Sequence, residues 1–197
     1  MRRNPLLKGK TMATAGLAIS YTLLALVLAV FGPWLVLHQF YKPIVVERAT
    51  KAELAALQPR IVDEVKLGPP AAGGNETEHN LLARGFSQSG AFARNNWRAA
   101  YSGGAFSYEM KVLPDAAMSV NCRYYGSEKS LTIFDIIVND QIVGTQELNM
   151  NHPGHYFDVE YKIPRGVTKG NSKVTVELMA HGGMSAGRLF AIQTLKR

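Results

Sequence analysis

Phe106-Ser107-Tyr108-Glu109-Met110-Lys111-Val112 alternates apolar and polar side chains at every step. Successive residues of a strand point to opposite faces, so Phe106, Tyr108, Met110 and Val112 share one side and Ser107, Glu109 and Lys111 the other. The same period returns downstream. Met118, Val120, Cys122 and Tyr124 alternate with Ser119, Asn121 and Arg123. Phe157, Val159, Tyr161 and Ile163 alternate with Asp158, Glu160 and Lys162, and Val174, Val176, Leu178 and Ala180 with Lys173, Thr175, Glu177 and Met179. Residues 131–138 are nearly all apolar, as in a strand covered on both faces, and a last apolar run spans 189–195. Turn signals separate the runs: Leu113-Pro114-Asp115, Asn139-Asp140, His152-Pro153-Gly154, Pro164-Arg165-Gly166 and His181-Gly182-Gly183. The pattern predicts an all-β domain over 79–197, an antiparallel, jelly-roll-like β-sandwich. About 120 residues are enough to close one core.

Upstream the pattern changes. Residues 11–41 contain no Asp, Glu, Lys or Arg and are rich in Leu, Ala and Val. A helix over 11–37 would reach roughly 40 Å, more than the roughly 30 Å of a bilayer's hydrocarbon core. Cleaved secretory signals have apolar regions of roughly 7–15 residues and small side chains at the exit. Here the exit is Phe31-Gly32-Pro33-Trp34-Leu35-Val36-Leu37. The reading is a retained single-pass transmembrane helix over 11–41. Arg2, Arg3, Lys8 and Lys10 make residues 1–10 a basic tail, expected on the cytoplasmic side, so the residues after the helix are expected outside a bacterial cytoplasmic membrane. Trp34 and Tyr41 suit the outer headgroup layer, and Gly16, within a run of small residues, would let another helix approach. Residues 42–78 read as a stalk, with a short helix over 47–57 and an irregular linker at Leu67-Gly68-Pro69-Pro70-Ala71-Ala72-Gly73-Gly74.

The net charge of +7 divides as +4 in the tail, −1 over 11–78 and +4 from 79 onward. No basic stripe of the kind nucleic acid requires is present, so no nucleic-acid partner is expected. Cys122 is the single cysteine, which excludes an intramolecular disulfide; its place among alternating apolar residues implies a buried thiol.

Several short motifs occur in an order that resembles a known module. They are Trp97-Arg98-Ala99-Ala100, Gly103-Gly104-Ala105-Phe106-Ser107-Tyr108, Phe134-Asp135-Ile136-Ile137-Val138, the run from Asn151-His152-Pro153-Gly154-His155 through Tyr161, Ile163-Pro164, Lys173-Val174-Thr175-Val176 and Ala180-His181. Together they are similar to the C-terminal accessory β-sandwich of bacterial β-L-arabinofuranosidase-type glycosidases. Those enzymes carry their catalytic residues in a separate helical barrel that has no counterpart here, so the resemblance implies a fold and an accessory role. The run Gly9-Lys10-Thr11-Met12-Ala13-Thr14-Ala15-Gly16 through Tyr21 resembles the helix starts of small bacterial membrane domains of unknown function.

Candidate chemistry is sparse. His152 and His155 flank a Pro-Gly turn without a third ligand, and a solvated turn is the simpler reading. Asp158 and Glu160 share a strand face, an arrangement that glycoside hydrolysis can use, but they oppose the apolar face and read as its solvated side. No Gly-x-Ser-x-Gly elbow or phosphate loop is present, so neither an enzyme nor a cofactor is expected. Two functions fit. The first is a non-catalytic accessory or scaffolding subunit of an integral membrane protein complex, for example a bioenergetic one such as a photosynthetic or respiratory assembly, with the bilayer as second partner. The second is a membrane-tethered carbohydrate-binding module, with Tyr101, Tyr125 and Tyr156 as exposed aromatics beside Arg98 or Arg123. Trp97 and Tyr124 read as core residues.

Overall fold

The computed structural model describes residues 52, 55–129 and 132–197. Arg2, Arg3, Lys8, Lys10, Gly16, Trp34 and Tyr41 lie outside these, as do the basic tail and the expected transmembrane helix. The described residues belong almost entirely to one compact unit, Glu53–Arg197.

Among the described residues that unit has nine strands: β1 (Ile61–Val65), β2 (Leu82–Phe92), β3 (Asn95–Lys111), β4 (Met118–Tyr125), β5 (Thr132–Val138), β6 (Gln141–Leu148), β7 (Tyr156–Ile163), β8 (Lys173–Ala180) and β9 (Ala186–Lys196). Hydrogen bonds link them in the order β6-β5-β8-β3-β9-β4-β7, with β1 beside β9 and β2 beside β3. Every pairing is antiparallel. The ladder folds over on itself. The ring of Tyr124 on β4 lies 5.7 Å from that of Phe134 on β5, although several strands separate them along the ladder. Gly144 on β6 lies so close to the Tyr161 ring of β7 that a Cβ there would stand 2.4 Å from it. The result is a β-sandwich, as expected, with Phe106, Tyr108, Met110, Val120, Tyr124, Phe134, Ile136, Val176 and Leu178 buried between its layers.

The long strand β3 joins the layers. Its first half pairs with β9 through Arg98 and Ala100, its second with β8 from Ala105 to Lys111. Between them Ser102 and Gly103 have φ of 54° and 78°, the left-handed region where glycine is least strained, and the ladder turns. Where β3 leaves β9, β1 takes its place, pairing Val65 with Ile192 and Ile61 with Leu195.

This corrects the expected stalk. The sequence reading sets residues 42–78 outside the domain, yet 61–76 are built into it. Leu67 is buried, and Glu76 is 5% exposed beneath its own loop. Glu76 Oε1 accepts from Tyr108 OH (2.6 Å) and Arg98 Nε (2.5 Å), while Oε2 accepts from the Gly68 amide (2.9 Å). The Pro-Gly segment makes a hydrogen-bonded turn, with Gly74 N donating to Pro69 O and Asn75 N to Lys66 O. The expected helix over 47–57 falls mostly outside the described residues; Ala55, Ala56 and Leu57 are helical.

Candidate functional site

Two faces of the sandwich meet solvent, and aromatic side chains gather on one of them, the outside of the layer containing β9, β4 and β7. The sequence puts them there through register. The β2–β3 hairpin turns on Ala93 and Arg94, both at positive φ, which suits a two-residue hairpin loop. Phe92 then opposes Asn95, Gly90 opposes Trp97, Gln88 opposes Ala99 and Phe86 opposes Tyr101. Directly opposed residues share a face, so Phe86, Tyr101, Trp97 and Phe92 all point the same way. At a rise of about 3.4 Å per residue, Phe86 and Phe92 stand roughly 20 Å apart.

At the hairpin end the rings form a chain drawn from four strands. Phe92 lies 5.0 Å from Tyr125, Tyr125 lies 5.2 Å from Tyr156, and Tyr156 lies 4.9 Å from Phe190, which is itself buried. Asn95 Nδ2 donates to Tyr156 OH (3.2 Å), which donates to Phe92 O (3.5 Å). Burial pushes the Tyr156 phenol above its ordinary pKa, so it stays neutral. Beside this cluster the guanidinium of Arg188 sits over Trp97, 5.4 Å from the ring centroid. At the far end Phe86, 61% exposed, packs against Tyr101 at 5.6 Å.

The same face continues into a polar half. Arg123 grips Asp158 with two nitrogens, and Asn121 Nδ2 bridges Asp158 and Gln193. Glu160 accepts from Arg60 Nη2 (2.7 Å) and Ser119 Oγ (2.6 Å). The Arg60 hydrogen bond, opposed by partial burial and aided by Ser119, holds the Glu160 carboxyl below its ordinary range. It is therefore kept ionised, a poor state for a proton donor. Asp158 and Glu160 do share a face, as the alternation predicts; each is engaged by arginine, Glu160 exposed to solvent and Asp158 half-buried.

Among the three tyrosines expected at a surface, Tyr125 and Tyr156 come into contact, whereas Tyr101 belongs to the separate Phe86 pair on the same face. Tyr124 is buried, as expected of a core residue. Trp97 is a correction: it is half-buried on the outer face, because its partner across the ladder is a glycine over which the indole can lie. Arg98 turns the other way, toward Glu76. Phe86, Phe92, Phe190 and Arg188 carry no local signal for this site; only long-range register brings them here. Cys122 is fully buried, and burial pushes its thiol up to about 12, an inert state. His152 and His155 are exposed in their turn, and no group of His, Cys, Asp or Glu suited to a metal occurs among the described residues.

No curated protein matches this chain. Solved structures similar to it include a family 35 carbohydrate-binding module from Clostridium thermocellum (9% identity, 60% of this chain and 93% of that one, TM-score 0.45). Another is the C-terminal family 6 module of a laminarinase from Zobellia galactanivorans (12% identity, 59% and 100%, TM-score 0.42). A third is the extracellular domain of ANXUR2 from Arabidopsis thaliana (10% identity, 62% and 42%, TM-score 0.45). Over residues 56–195 the sequence matches DUF6805, a family of unknown function, and the chain belongs to that family.

Proposed function

We propose that this protein binds carbohydrate on the outer face of its β9-β4-β7 layer, held at a bacterial cytoplasmic membrane by residues 11–41. The observation that carries the reading is the contiguous Phe92, Tyr125 and Tyr156 cluster, backed by the buried Phe190, flanked by Trp97 and Arg188 and lying beside a polar half-face. Flat aromatic surfaces receive the apolar faces of sugar rings, and amphipathic tyrosines add hydrogen bonds at their rims. A contiguous apolar patch edged by polar groups is also how interaction sites stand out from ordinary surface. Two of the modules similar in fold are named for carbohydrate binding, but the reading rests on the face itself. The carboxylates there are paired with arginines, which favours binding over hydrolysis.

Affinity electrophoresis of the full-length protein in mild detergent, over gels containing a panel of polysaccharides, tests this. At least one polysaccharide should retard it, and Tyr125→Ala with Tyr156→Ala should abolish that retardation. Leu113→Ala, an exposed apolar change elsewhere, should not. A protein that ignores every polysaccharide and instead co-migrates with a larger membrane assembly would favour the accessory-subunit reading.

A further inference from the structure

We infer that Arg188 makes this face selective for saccharides that carry a carboxylate. The inference rests on the carbohydrate reading above and adds the class of sugar.

Arg188 differs from the paired arginines on either side of this layer. Arg123 is committed to Asp158, Arg98 to Glu76 and Arg60 to Glu160. Arg188 approaches a carboxylate through Nε alone, 3.2 Å from Glu128 Oε1, and its side chain remains 38% exposed. Among the described residues its two terminal nitrogens have no hydrogen-bond partner, so a parallel pair of donors is uncommitted. Those donors form a planar fork that matches a carboxylate, and such two-point pairs exceed neutral hydrogen bonds in strength. Contact with Trp97 limits the side chain's freedom before any ligand arrives.

Glu128 is the second, independent observation. Its side chain is 9% exposed, and Oε1, shut off from solvent, makes no hydrogen bond of good geometry. Burial, opposed only by Arg188, pushes this carboxyl above the ordinary range, so it is a weak sink for the guanidinium charge. The placement also fits a sugar. Arg188 and Phe190 lie two residues apart on β9, about 7 Å along a strand. Phe190 is itself buried and backs the Tyr156 ring, and the Arg188 charge reaches the Tyr156 phenol, so a sugar ring seated on Tyr156 brings an outward substituent within reach of Arg188.

The test compares two soluble polymers with one β-glucan backbone, carboxymethylcellulose and neutral hydroxyethylcellulose, using the full-length protein in detergent. The quantity read is the ratio of the two affinities. Wild type should prefer the acidic polymer by about tenfold, the scale of one charge-assisted contact. Arg188→Gln should bring the ratio close to one. Arg188→Lys, which keeps the charge and loses the fork, should fall between them and guards against a folding defect in the first variant. The basic N-terminal tail could attract any polyanion, but it is the same in all three proteins, so only the change in ratio counts. A wild-type ratio near one, with both polymers bound, overturns the inference and leaves the carbohydrate reading standing. A wild-type preference that survives Arg188→Gln also overturns it. Failure to bind either polymer counts against both this inference and the reading beneath it.

Discussion

The indole of Trp97 lies across Gly90 on the neighbouring strand, so close that a Cβ at residue 90 would stand 2.6 Å from Cζ2. A side chain there must push the indole off, and with it the surface over which Arg188 sits. Gly90→Ala should therefore cost about 1–3 kcal/mol, the usual penalty of overpacking, and should weaken polysaccharide retention. Urea melts paired with affinity electrophoresis check both. An unchanged melt would mean that the indole moves freely and is no fixed part of the face.

The Glu76, Arg98 and Tyr108 cluster makes a pH prediction. Burial alone would raise the Glu76 carboxyl; hydrogen bonds from Arg98 and Tyr108, the Arg98 charge and the Gly68 amide outweigh it and hold the group below its ordinary value. A carboxyl lowered by folding contributes stability above its unfolded pKa and loses it as pH falls through its folded pKa. The domain should thus weaken as pH drops below the ordinary carboxylate range, and Glu76→Gln should flatten that dependence while destabilising the domain near neutrality. Thermal melts across an acidic pH series would show it. A Glu76→Gln variant with the wild-type pH slope would assign the acid sensitivity to other carboxylates.

The inner strands are legible in the sequence because one face is dry and the other wet, and period two records that difference directly. Strands β1 and β2 are not. Leu82, Phe86 and Phe92 are exposed on an edge strand, so β2 lacks the alternation that a half-buried strand needs. β1 is five residues long, and its acidic Asp63 and Glu64 mimic a solvated stalk. In fact Asp63 accepts from the Lys111 amide at 2.7 Å, and Glu64 from Gln193 at 2.8 Å. For the site, aromatics at strand ends are a usable signal for Tyr125 and Tyr156. Phe190 and Arg188, distant in the chain from their neighbours, become visible only once β9 is placed beside β4.

Core packing gives a sharper test of the sandwich itself. Phe134 is fully buried and meets Tyr124 edge-on. Phe134→Ala should destabilise the domain by about 3–5 kcal/mol, combining lost transfer energy with the cavity left behind. A loss under about 1 kcal/mol by chemical denaturation would contradict the packing of β5 against β4.

For membrane orientation, which we propose from the charge on either side of residues 11–41, the expected outcome is simple. Protease added to spheroplasts should digest the β-domain while the cells remain intact. Protection until lysis would reverse the orientation.

The last prediction concerns where the domain starts. Sequence periodicity puts the boundary at His79, but the compact unit begins at Glu53. A chain cut to 79–197 would lose β1 and expose the edge of β9 from Ile192 to Leu195. It would also lose Glu76, leaving Arg98 in its half-buried site without its carboxylate. Removing one partner of a buried ion pair typically costs about 3–5 kcal/mol, and whole domains are stable by only about 5–15 kcal/mol. Residues 53–197 should therefore fold cooperatively, whereas 79–197 should not. Circular dichroism melts of the two fragments decide it: equal cooperative transitions would mean that β1 and its loop decorate the sandwich rather than complete it.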